Sequence, residues 1–338
     1  MALQELAFES LSMAIETTKG TAVTPPTRRL NLESTLTPMQ ELYRPPDQLG
    51  TFEEYSRSVP VRGWGELEAS GAVDLLAMPF ILSLIAKGGV TPTTPTNGVL
   101  TRLWTFVPSA SVDDLKSATV YWGDNVNALL WQGVYGMLDT MDISADASGT
   151  DGVMIDLKGT TRFPTHLGAN PTLPAIVVGP ALIPAAMQLW IDTSSAIGTT
   201  AVTGRFLSAS ISVPTQVTHK YVAQGPGGVP TWDHHGRAKR HIEAKLKFEL
   251  ADAVQYDLFA AHTTCKTRVR MNGDLIESVT PDYYNYLQFD IYGPMSEPSW
   301  GDLEGTNRTV EFTVMSEYNS TLGASWAAYV QNTLTALP

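Results

Sequence analysis

The side chains in this sequence that could do chemistry fall in a few places. His219, His234, His235 and His241 lie close together in the chain and form a candidate ligand set for zinc or nickel. Adjacent ligands such as His234 and His235 fit one ion poorly, and the residues around them are rich in Gly, Pro and Lys. The reading is a solvated loop without metal. Cys265 stands near His262, the pairing a nucleophilic thiol needs. At the end of a helical pattern it reads instead as an inert small residue. Glu66 and Glu68, at i and i+2, share one face of a strand and could divide acid and base work between them. With no matching acid partner in the motif, they read as a wet, negative strand face. The chain contains no G-x-S-x-G, no G-x-x-x-x-G-K-[ST], no H-E-x-x-H and no C-x-x-C. The expectation is therefore no enzyme and no cofactor.

The elements that must carry these residues are mostly strands. The 338 residues allow about two domains. With 43% hydrophobic and 17% charged residues, the chain is not a disordered one. Gly (27) and Pro (22) punctuate runs rich in Thr, Val, Tyr and Trp, which favours a β-rich fold. The 22 Lys and Arg against 34 Asp and Glu give −12, a charge unsuited to gripping phosphate backbones. A single cysteine excludes an internal disulfide framework. No run is long and apolar enough for a membrane span, and 1–20 lacks the apolar core of a secretory leader. The eight tryptophans are scattered and read as core or interface anchors.

The chain also repeats itself. Thr21-Ala22-Val23-Thr24 recurs as Thr200-Ala201-Val202-Thr203, and Arg29, Ser34, Pro38 and Gln40 recur as Arg205, Ser210, Pro214 and Gln216, an offset of 176. Further on, Val134-Tyr135-Gly136 meets Ile291-Tyr292-Gly293, and Val153, Ile155 and Leu157 meet Val310, Phe312 and Val314, an offset of 157. The 19 extra residues of the first copy are placed near 87–98, a loop by composition. In the first strand the apolar parity is swapped, so the offset there is 175 or 177, or a bulge intervenes.

One unit then reads as strand 29–36, a long loop 37–58, strand 59–71, helix 74–87, and strands near 118–122, 129–142 and 153–163. The second reads as strand 205–213, long loop 214–236, strand 239–250, helix 251–262, and strands 267–271, 286–292 and 308–316. Residues 1–163 form one unit and 200–320 the other, with 164–199 as a Pro/Gly-rich linker and 321–338 as a C-terminal arm. Trp326, Tyr329, Val330 and Leu334 in that arm lie at helical spacing. Loops of about 22 residues are normally functional or disordered, and one at the same place in each unit suggests reach to a neighbour.

Phe8-Glu9-Ser10, then the run from Glu16-Thr17-Thr18-Lys19-Gly20 through Thr24-Pro25 and Arg28-Arg29-Leu30-Asn31-Leu32-Glu33-Ser34, resembles the opening of major tail tube proteins of long-tailed bacteriophages. Tyr43-Arg44-Pro45, the acidic loop, 61–71 and the short helix are similar too. The resemblance covers roughly 8–165 and extends to 200–320 through the repeat. It implies a mainly β fold with one short helix per unit, as two tandem tail-tube-type β-sandwich or half-barrel domains. It further implies a self-assembling virion subunit, made in the host cytoplasm, that stacks as rings around a lumen for DNA in transit. Two fused units imply a trimeric ring of pseudo-sixfold symmetry. Tape-measure, tail terminator and tail-tip proteins are partners on the same ground. The acidic balance suits a wall that DNA slides past. Candidate lumen residues are Glu33, Glu66, Glu68, Asp139, Asp156, Glu243 and Glu311. Lys245 and Lys247 depart from that pattern and are expected to pair with acids across a subunit boundary. Candidates for contacts between rings or subunits are Tyr43, Arg44, Glu53, Glu54, Tyr55, Arg57, Tyr221 and Trp232. The alternatives are a two-domain β-sandwich adhesin or carbohydrate-binding protein and, within the tube class, a secretion or bacteriocin tube.

Overall fold

A computed structural model describes residues 9–44, 57–193, 196–222, 229–250, 253–304 and 307–338. The first half runs β1 (Glu9–Ile15), β2 (Arg28–Leu30), β3 (Glu33–Tyr43), β4 (Val59–Ala72), helix α1 (Met78–Ile85), β5 (Arg102–Phe106), β6 (Ala118–Asp124), β7 (Leu129–Asp146), β8 (Met154–Arg162) and β9 (Thr165–His166). The second runs β10 (Gln188–Asp192), β11 (Ala201–Val202), β12 (Phe206–Pro214), β13 (Val217–Tyr221), β14 (Trp232–Arg237), β15 (Glu243–Glu249), helix α2 (Val254–Ala260), β16 (Thr264–Glu277), β17 (Tyr283–Pro294), β18 (Ser299–Glu304), β19 (Asn307–Met315) and β20 (Trp326–Asn332). The chain is thus mainly β, and its named strand pairs are antiparallel.

The alternating strands line up as one sheet in the order β3-β4-β8-β7-β12-β15-β19-β18. The β7–β12 pair joins the halves, with Ile143 opposite Ile211. One face is apolar from β3 to β19: Leu36, Leu67, Leu157, Ile143, Ile211, Leu246 and Phe312 are all buried. The swapped parity is real in this geometry. Leu36 pairs Leu67 and Ile211 pairs Ala244, so even and odd positions exchange roles between the halves.

The second layer closes the core. Strands β2, β1, β6 and the first part of β7 form its first-half portion, and β11-β10-β16-β17-β20-β5 its second. β7 serves both layers because its ladder is interrupted twice. The register slips at Tyr135, whose φ is 55°, and again at Asp139. Helix α1 starts with a proline in its first turn, where a missing N–H costs nothing, and all its residues are buried. It is shorter than the periodicity predicts because Asp74 organises the preceding turn, accepting from Leu76 N–H at 2.8 Å. Helix α2 is likewise shorter than 251–262 and leaves Val254 and Tyr256 exposed.

Three sequence expectations are corrected. The C-terminal arm is not an amphipathic helix: Trp326–Asn332 is β20, an interior strand between β17 and β5. Its side chains are buried on both faces, so no period-two signal exists and the chance helical spacing misleads. Residues 164–199 are not wholly linker, since Gln188–Asp192 pairs with β16. The two long loops are hairpins: β3 and β4 stay paired out to Tyr43 opposite Val59, and β13 pairs β14. The insertion between helix and strand in the first half runs past 98 and contains β5, which joins the second half's sheet through β20. Trp104 donates to Asn332 at 3.2 Å, and Asn332 donates to the Leu75 carbonyl at 2.7 Å, so the chain's two halves are interlocked.

Candidate functional site

The face opposite the core is polar from β3 to β19. One row reads Glu33, Ser70, Asp156, Asp142, Ser212 and Glu243, each directly opposite the next. Neighbouring rows carry Glu66, Glu68, Asp146 and Glu311 with Lys158, Lys245 and Lys247. Acids therefore outnumber lysines on this face. Asp156 and Asp142 are direct cross-strand partners, an arrangement of like charges that is destabilising by itself and tolerated only in contact with water. Lys158 reaches Glu68 at 3.7 Å, an exposed pair of small energetic weight.

Six of the seven lumen candidates lie on this face. The seventh, Asp139, differs: it is the extra residue of the β7 bulge and is partly buried, accepting from the Thr160 hydroxyl at 2.5 Å. Burial pushes its carboxyl up to about 6, against the lowering effect of that hydrogen bond. Lys247 stands directly opposite Glu311, with Asp146 also acting on it, so acids of its own chain already face it.

The hairpins form the second feature. Hairpin β13–β14 belongs to the second half but packs on the first. Trp232 is fully buried, its ring 4.3 Å from Tyr135 and stacked on His219 at 4.2 Å and 27°. Arg162 donates to the Trp232 carbonyl at 2.8 Å and to Asp233 Oδ1 at 3.1 Å, with its guanidinium 5.0 Å from the Tyr135 ring. The Gly63 N–H donates to the Pro230 carbonyl at 2.8 Å. A Cβ on Gly63 would meet Val229 at 2.5 Å, so the close approach of the two segments requires glycine there.

His234 is exposed, as expected, but His219 and His235 are not part of a solvated loop. His235 has 7% of its side chain exposed and sits between the Tyr135 hydroxyl (2.9 Å) and the Asp113 carboxylate (2.6 Å). Partial burial raises the Asp113 carboxyl, but the His235 hydrogen bond and the Lys19 charge together hold it below its ordinary value. Burial beside Trp232 pushes the His219 imidazole down to about 4, with the nearby His235 adding to the shift. Among the described residues no three His, Cys, Asp or Glu side chains group as a metal site. Cys265 lies on β16, not on a helical turn. Its thiol is buried, which pushes its pKa up, and points to the Thr263 carbonyl.

Of the contact candidates, Tyr43 is 57% exposed, Arg44 and Arg57 are exposed, and Glu53, Glu54 and Tyr55 lie outside the described residues. Tyr221 is half-buried beneath Arg62, 5.6 Å from its ring, while Arg62 pairs with Glu41. Trp232 is a correction, because a fully buried indole cannot serve as an outward contact.

Asp142 and Asp146 on the polar face were missed in the sequence, and so were two acids that hold backbone amides. Glu16 accepts from Gly20 N–H (2.7 Å), Ser117 (2.6 Å), Thr119 (3.0 Å) and Tyr135 N–H (2.7 Å). It thereby takes the amide that the β7 bulge leaves without a ladder partner. Asp192 accepts from Gly198 N–H, Thr199 and Thr200 N–H. Burial alone would raise its carboxyl, but these bonds hold it at about 2. The two acids are separated by the offset of 176 that relates the Thr-Ala-Val-Thr runs, the signal that could have found them.

Compared with known families and with curated proteins, the chain matches no family model and no curated sequence.

Proposed function

We propose that this chain is a structural subunit of a bacteriophage tail tube, with no turnover, that self-assembles into stacked rings. The observation that carries the reading is the eight-stranded sheet, polar and acid-rich on one face from β3 to β19, with β3 and β18 as its end strands among the described residues. End strands offer a row of N–H and C=O groups to another copy. β3 even carries Pro38, as suits a strand paired on one side. Antiparallel pairing of one copy's β18 with the next copy's β3 would repeat the β7–β12 junction already present within the chain. The same succession of strands in both halves supports a duplicated unit, and with it a ring of three copies and pseudo-sixfold symmetry.

The dimensions are consistent. At about 4.8 Å between strands and a tilt near 40°, three such sheets close a barrel roughly 50 Å across the backbone. That leaves room for a DNA duplex. The face turned to the lumen would carry Glu33, Glu66, Glu68, Asp156, Glu243 and Glu311, so the wall repels a polyanion within about 8–10 Å. Transit, not binding, is the chemistry this face favours.

Negative-stain electron microscopy over a concentration series tests the reading. Hollow filaments or stacked rings, with three chains per ring by native mass spectrometry, are the expected result. A monodisperse monomer at every concentration refutes it.

A further inference from the structure

Where β15 begins and β19 ends lies a cleft of about 480 Å³, lined in part by Ser109, Arg237, Lys239, Arg240, Ser316 and Tyr318. Its lining is rich in donors and poor in acceptors. Lys239 is exposed. Arg240 donates to the Ser109 carbonyl at 2.8 Å and Arg237 to the Thr215 carbonyl at 3.3 Å. Yet Nη1 of Arg240 and Nη2 of Arg237 are buried without a hydrogen-bond partner, and a buried N–H left unpaired is costly. The serine hydroxyls add to the imbalance. Ser109 Oγ accepts from the Val112 N–H at 3.0 Å, and Ser316 Oγ from the Ile242 N–H at 2.8 Å. A hydroxyl oxygen that accepts from an amide keeps its own hydrogen to donate. Among the described residues Asp113 is the one carboxylate in the lining, and His235, Lys19 and Arg237 already share it. Asp114, outside the lining, also acts on Arg237, although burial raises its own carboxyl. The cleft is therefore a local excess of positive charge on a chain of net charge −12.

We propose that this cleft binds a phosphate dianion, either free or as the monoester of a small molecule. Three cations against one shared carboxylate leave roughly two charges to balance, which a dianion matches better than a single carboxylate does. Lys239 and the two serine hydroxyls supply hydrogen bonds to the phosphate oxygens. The buried guanidinium nitrogens stand behind the lining, and their charge reaches the anion through a wall of low dielectric. One phosphate in one cleft needs no basic surface overall, so the acidic balance of the chain is no obstacle. The volume also admits the body of a small organic molecule. Tyr318, 64% exposed, offers a ring beside it. Nothing in this site depends on assembly into rings.

Isothermal titration of the full chain tests the site, at constant ionic strength in a buffer free of phosphate, sulfate and carboxylates. Inorganic phosphate should bind once per chain with a Kd of about 1 mM or lower. Adenosine monophosphate is the second probe. Tighter binding than phosphate assigns the site to a monoester, and equal or weaker binding assigns it to the free ion. Lys239→Gln, at the exposed rim, should weaken phosphate binding at least about threefold, and Lys239→Gln with Arg240→Gln at least about tenfold. Lys239→Arg should bind as the wild type does. Thermal melts check that each variant is folded, and Lys239→Gln carries the test if the double variant is not. No saturable heat with either probe up to about 10 mM, or one affinity shared by the wild type and Lys239→Gln, overturns the site.

Discussion

Replacing Trp232 with alanine isolates the attachment of hairpin β13–β14. The indole is fully buried, flanked by Tyr135 at 4.3 Å and His219 at 4.2 Å, and its N–H points to the Thr161 carbonyl at 3.4 Å. Truncating a buried Trp costs about 3–5 kcal/mol, of which the aromatic contacts supply about 0.5–1.5 each. Trp232 belongs to a small cluster with Leu115, Tyr135 and Met137, separate from the main core. The loss should therefore fall on local opening of the hairpin, not on global unfolding. About 3 kcal/mol corresponds to hydrogen exchange roughly a hundredfold faster. The amides to follow are those of Thr218, Lys220, His234 and Gly236 in the hairpin, and that of Gly63, which donates to the Pro230 carbonyl. The midpoint for the main transition in urea should move little. Exchange that rises less than about tenfold at these amides, or equally at Leu157 and Ile143 in the central sheet, would refute the claim that Trp232 fastens the hairpin.

Three further outcomes follow from the charges. Asp139, its carboxyl raised to about 6 by burial, binds a proton more readily folded than unfolded, so stability falls as pH rises from about 4 through 6. Asp139→Asn should gain up to about 2–3 kcal/mol at pH 7 and nothing near pH 4, as measured by urea titration at both values. His219, lowered to about 4, works the other way: stability is present above about 6.5 and is lost as pH falls toward 4. His219→Phe should remove up to about 3 kcal/mol of that acid sensitivity while keeping the stack on Trp232, and an unchanged pH profile would discount it. Arg268 makes a two-pronged pair with Asp290, at 2.8 and 2.7 Å, and Asp290 is 1% exposed. Arg268→Met leaves that carboxylate with the Gln288 amide at 3.0 Å but no charge partner, and should cost about 3–5 kcal/mol in chemical denaturation. Arg268→Met with Asp290→Leu should recover much of it.

The central sheet was legible because its strands have one wet face and one dry one. Leu67 and Ala69 between Glu66, Glu68 and Ser70 leave little choice of structure. β1 and β20 were not, because burial on both faces erases alternation: Ser10 and Ser12 are buried beside Leu11 and Met13. The hairpins were concealed by Pro and Gly, which mark a long loop whether or not its flanks pair. Six acids of the polar face followed from parity, whereas Asp142 and Asp146 on the same face were not singled out. Asp139 escaped that rule because one inserted residue turns a side chain out of its row. Trp232 and His235 could not be placed from the sequence, since what buries them comes from Tyr135 and Asp113 in the other half.

The joining of β5 to β20 sets an order of events. Trp104 and Phe106 are fully buried, but Asn332, which holds Trp104, is 228 positions further along the chain. At about 5–20 residues per second, a ribosome needs on the order of 10–50 s to cover that distance. Through that interval β5 has its bridge from Leu103 to Thr93 but lacks β20, while the ladders among β3, β4, β8 and β7 can already form. A nascent chain thus cannot complete its second layer until β20 emerges.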